Sequence, residues 1–67
     1  MLPNIFVHVI TYDDAYGSQP PAYGSTIYNR LEEAEEHSEM ILDVWANTRY
    51  GRRNVTVTIV EYAPVPF

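Results

Sequence analysis

Four carboxylates, Glu32, Glu36, Glu39 and Asp43, recur at spacings of four, three and four. That period gathers them on one ridge of a helix. Like charges so placed cost a helix roughly a few tenths of a kcal/mol per pair, and no arginine falls within the row to neutralise it. Such a ridge is docking chemistry for a basic protein partner, with imitation of nucleic-acid phosphates as a narrower variant. The plain alternative is a solvated face that keeps a small protein dissolved.

The other polar residues offer less. Asp13, Asp14 and Glu61 could supply oxygen ligands to a hard cation, but the sequence lacks the dense acidic loop of a calcium site, and paired aspartates ordinarily open a turn. No metal and no cofactor is expected. His8 reads as a hydrogen-bonded core or interface histidine and His37 as a surface residue on the helix flank. Cysteine is absent, which excludes disulfides, thiolate metal sites and cysteine nucleophiles together. All four basic residues are arginine, at positions 30, 49, 52 and 53, so lysine chemistry is excluded as well. With no glycine-rich phosphate loop and no serine elbow, an enzyme is not expected. Tyr16 and Tyr23, each followed by glycine and flanking Pro20-Pro21, form a candidate contact pair, since tyrosine on a restrained loop loses little entropy on binding. Alternatively, the two rings fold back over the sheet edge.

The elements that must position these groups fit one domain spanning residues 1–67. Nine acidic residues against four arginines give a net charge of −5, which opposes nucleic-acid binding because phosphate contacts supply most of that affinity. No signal peptide or membrane span is legible at the amino terminus, so the expected location is cytoplasmic. Residues 5–12, Ile-Phe-Val-His-Val-Ile-Thr-Tyr, predict a first strand. Residues 13–22 predict a long exposed loop, 23–28 a weaker second strand with Gly24 marking a bulge or close contact, and 54–62 a third strand. Asn29 with Glu32 matches a capping box, which places a helix from Arg30 to about Arg49 with Gly51 ending it. Its inward stripe would be Leu31, Ala34, Ser38, Ile41, Leu42 and Trp45. Residues 63–67, rich in proline, predict a tail or an exchanged arm.

The expected fold is α+β, a ββαβ layout in which a three-stranded, mainly antiparallel sheet of order 2-1-3 carries one helix on one face. The uncovered face is expected to hold Phe6, His8, Ile10, Tyr12, Val60 and Tyr62, together with Thr56 and Thr58. That is enough apolar surface to suggest a homodimer or partner face.

The strand ending in Tyr12-Asp13-Asp14, the Tyr16-Gly17 loop, the helix start Leu31-Glu32-Glu33-Ala34-Glu35 and the closing Thr58-Ile59-Val60-Glu61-Tyr62 resemble, in layout, short uncharacterised proteins of bacteriophages and some bacteria. The resemblance implies binding rather than catalysis: a phage-type accessory protein that binds or inhibits a host protein in the host cytoplasm. A structural or assembly homodimer built on the uncovered sheet face is the alternative.

Overall fold

Ten residues dense in β-branched and aromatic side chains, Ile5–Asp14, form β1, the central strand. The computed structural model describes residues 4–63. Within them β2 spans Gly17–Ser18, β3 Ala22–Tyr28, α1 Leu31–Trp45 and β4 Arg53–Tyr62, with a single 3₁₀ turn at Thr48–Tyr50. β2 and β3 follow one another along one side of β1, and β4 lies along the other. All three run antiparallel to β1. The architecture is α+β with the expected ββαβ layout, apart from the short added strand β2.

The predicted long loop is mostly a hairpin. β1 continues to Asp14, which pairs with Gly17 across the turn Ala15-Tyr16. The Asp14 side chain holds this turn, accepting hydrogen bonds from the Tyr16 amide at 2.8 Å and from Gln19 Nε2 at 2.9 Å. Gly17, at φ 107°, supplies the backbone conformation that closes it. The expected role of aspartate in opening a turn is thus realised, and it shortens the loop.

Register assigns the faces. His8 pairs with Ile59 and Ile10 with Val57 across β1 and β4, and directly opposed residues share a face. His8 and Ile10 are fully buried, and His8 Nε2 lies 2.7 Å from the Ala34 carbonyl of α1. The helix therefore covers the face carrying Phe6, His8, Ile10 and Tyr12, which was expected to be open. Ile5, Val7 and Val9, expected beneath the helix, lie on the uncovered face with Tyr23, Ile27, Val60 and Tyr62. The physical reason lies in His8. Its ring needs a hydrogen-bond partner once buried, and a helix carbonyl with a spare lone pair supplies one.

Helix α1 begins after Arg30, whose backbone is extended, and no side chain caps it, so the Asn29–Glu32 capping box does not form. Glu32 and Glu33 in the first turn complement the helix dipole instead. The helix stops at Trp45 rather than near Arg49. Asn47 Oδ1 accepts the Arg49 amide at 3.0 Å, turning the chain into the 3₁₀ segment, and Gly51 at φ 68° ends that segment. The inward stripe is Ala34, Ser38, Ile41 and Trp45, joined by half-buried His37, while Leu31 and Leu42 sit at the exposed margins.

Candidate functional site

Where the helix ends, Arg52 folds back over three aromatic rings. Its guanidinium carbon stands 4.3 Å from the Trp45 ring centre, 4.9 Å from Tyr50 and 5.5 Å from Tyr12. Its Nη1 donates to the Trp45 carbonyl at 3.2 Å. One cation thus satisfies a terminal helix carbonyl, complements the negative helix end and stacks on aromatic faces. The sequence placed arginines beyond the helix but did not reveal this cluster. The available signal was an aromatic at the helix end followed at short range by tyrosine and arginine.

Beneath the helix, Tyr28 lies between two histidines, its ring centre 5.1 Å from His8 and 5.3 Å from His37. Because the Ala34 carbonyl can only accept, His8 carries its proton on Nε2 there, and this nitrogen is committed to structure. The Nδ1 atoms of His8 and His37 are buried without a hydrogen-bond partner. Thus His37 is half-buried against Tyr28 rather than a surface residue. Opposite His8, β3 bulges, with Gly24, Ser25 and Thr26 standing against that one residue. A Cβ at Gly24 would sit 3.3 Å from His8 Cβ, so the predicted close approach at Gly24 is real and has a definite partner. Between β3 and α1 this leaves an open cleft of about 420 Å³, bordered by Tyr28, His37, Met40 and Trp45.

Asp13 and Glu61 occupy opposite ends of the sheet, since Asp13 pairs with Arg53 and Glu61 with Phe6. Asp13 Oδ2 accepts from Asn54 Nδ2 at 2.8 Å, and Glu61 Oε2 from Asn4 Nδ2 at 2.6 Å. The Asn54 hydrogen bond, aided by Ser18 and the Arg53 charge, holds the Asp13 carboxyl below its ordinary value. Among the described residues no three histidines or carboxylates gather as metal ligands. No helix among them is long and apolar enough to cross a membrane.

The acidic ridge stands as predicted in its placement. Glu32, Glu36, Glu39 and Asp43 are all exposed, and at about 100° per residue they lie across the helix from the Ala34–Trp45 stripe. One arginine does approach the row: Arg30 Nε lies 3.8 Å from Glu32 Oε2. Both side chains are largely exposed, so the pair is screened and leaves the ridge acidic. Tyr16, 94% exposed, stands at the hairpin tip. Tyr23 is also exposed, but it pairs with Val9 on the uncovered sheet face. The two tyrosines therefore do not form one contact patch.

The predicted dimer residues are likewise divided. Phe6, His8, Ile10 and Tyr12 belong to the helix-covered face, and only Val60 and Tyr62 belong to the open one. Residues 64–67 of the proposed arm lie outside the described residues. Comparison with known protein families, with curated proteins and with solved structures finds no match to this chain.

Proposed function

We propose that this chain is a small protein-binding module without catalytic chemistry of its own, and that it holds a basic partner protein against the acidic outer side of α1. The observation that carries this reading is the segregation of charge: six carboxylates of α1, among them Glu32, Glu36, Glu39 and Asp43, are all exposed, and among the described residues Arg30 is the one cation that forms an ion pair with them. A field of one sign attracts an oppositely charged surface and speeds its approach. The commitment of His8 to the Ala34 carbonyl supports a structural rather than a catalytic role for that residue. The likeness in layout to short phage proteins supports a host enzyme or defence protein as the target, met in the host cytoplasm.

The test is affinity capture from bacterial lysate at low and high salt, comparing the natural chain with a Glu36→Gln, Glu39→Gln, Asp43→Asn variant. Basic proteins retained at low salt, released by salt and lost with the variant are the expected result. An identical set of captured proteins from both chains, with folding intact, removes the ridge from the function.

A further inference from the structure

On the side of the sheet away from α1, Val7 and Val9 of β1 are flanked by Tyr23 and Ile27 of β3 and by Val60 and Tyr62 of β4. Ile27 is 61% exposed and Tyr23 64%. We propose that this face is where two copies of the chain pack, sheet against sheet about a twofold axis. The proposal is independent of the partner assigned to α1, because it concerns the opposite side of the molecule.

Charge selects the occupant. The remaining positions that share this face, such as Thr11, Thr56 and Thr58, are uncharged. Of the nine carboxylates, six are on α1, Glu61 pairs with Phe6 on the helix side, and Asp13 and Asp14 lie at the hairpin end of β1. The charges nearest this face, Asp13 and Arg53, are paired with one another at its hairpin end, so a second copy brings a β-branched surface with little unbalanced charge. Sheets packed about 10 Å apart, with each helix a further ~10 Å out, hold the two acidic helices about 30 Å from one another, several Debye lengths at physiological salt. A chain of net charge −5 can therefore pair with itself on this side with little self-repulsion.

Area and core size agree. Three strands about 4.8 Å apart, each covered over about seven residues, present a face near 14 by 23 Å. Contact over that footprint of roughly 320 Å² buries on the order of 400 Å² per copy, under a tenth of the 5231 Å² accessible surface. The total of about 800 Å² lies below the size of stable interfaces, which predicts a weak dimer that forms at high concentration and dissociates on dilution. Within the single copy, the buried apolar residues among those described are Ile10, Tyr28 and Ala34. So small a core, with no cysteine to staple it, is the situation in which association commonly completes a small domain.

Sedimentation equilibrium of the full chain over a wide concentration range tests the proposal. The mass is expected to rise from 7.7 kDa towards twice that value. Ile27→Glu should hold it at the single-copy mass, and should Ile27→Glu fail to fold, Ile27→Thr, which keeps the β-branch, should raise the dissociation constant about tenfold or more. Glu36→Gln on the helix side should leave it unchanged. A natural chain that stays at single mass up to millimolar concentration overturns the proposal. So does an Ile27 variant that folds and dimerises as the natural chain does, since pairing would then run through another surface such as the β4 edge.

Discussion

His8 and Val9 are adjacent in β1 and meet opposite surroundings. The His8 ring lies beneath α1, bonded to the Ala34 carbonyl and edge-on to Tyr28. Val9 points the other way, towards Tyr23 of β3 and Thr58 of β4, with no element laid over it among the described residues. Counting apolar residues would assign the helix to the Val9 side, because Ile5, Val7 and Val9 make a cleaner hydrophobic row than Phe6, His8 and Ile10. The covered side instead gathers the larger rings and the groups that need specific partners: His8 with a helix carbonyl, Tyr28 between two imidazoles, Tyr12 5.6 Å from Trp45. The open side is mostly β-branched, with Val7, Val9, Ile27, Thr58 and Val60 along it. Shape and hydrogen bonding, more than hydrophobic content, decide which face the helix takes.

The comparison can be broken most forcefully at Ile10. Ile10→Ala should cost about 2–5 kcal/mol of unfolding free energy, because the site is fully buried and cannot collapse freely. Val7→Thr on the open side should change it by less than about 1 kcal/mol at concentrations that keep the chain single. Equal losses in urea titrations of the two variants would erase the distinction between the faces. His8→Ala removes both a hydrogen bond and buried volume and should cost about 2–3 kcal/mol, whereas His8→Leu, which refills the space, should cost only about 1 kcal/mol. Thermal melts of the two variants separate the tie to Ala34 from simple filling.

Arg52→Ala sharpens the picture at the helix end. Loss of the stacking and of the bond to the Trp45 carbonyl should lower stability by about 1–2 kcal/mol, with the helical signal fraying from Trp45 backwards by amide exchange. The smallest effect belongs to Asp13. Its carboxyl is held below the ordinary 3.8 in the folded chain, first by the Asn54 hydrogen bond. Its contribution is therefore fully present above that value and is lost as pH falls below it through the depressed folded value. Asp13→Asn should flatten that part of the stability profile below about pH 4, and an unchanged acid limb would remove Asp13 from the account.

The strand and helix order was legible because β1 and β4 are rich in β-branched residues and α1 carries a clear 3.6-residue period. Strand order followed from placing the most apolar strand in the middle. What local pattern could not supply was orientation. In a strand apolar on both sides, alternation does not say which side the helix takes, and the answer depends on the distant Ala34 carbonyl and on the bulge opposite Gly24. For that reason alternation places Phe6, His8, Ile10 and Tyr12 on the open face where the structure covers them, while Val60 and Tyr62 do lie on the open side. The helix ends differ from the sequence pattern because Asn29 and Arg49 each suit a terminus, while Asn47 turning the chain and Arg52 reaching back belong to the folded arrangement. The acidic ridge needed only sequence spacing, and its placement stands.

Trp45 is the one tryptophan of the chain, and it lies on the covered side under Arg52, close to Tyr12. Emission from that single indole, fed in part by energy passed to it from the Tyr12 ring 5.6 Å away, follows closure of the helix end. Tyr62 lies on the other side of the sheet, opposite Ile5, and is not among the rings stacked at the helix end. The molecule thus carries its own optical report of helix closure, which can be followed without attaching a label.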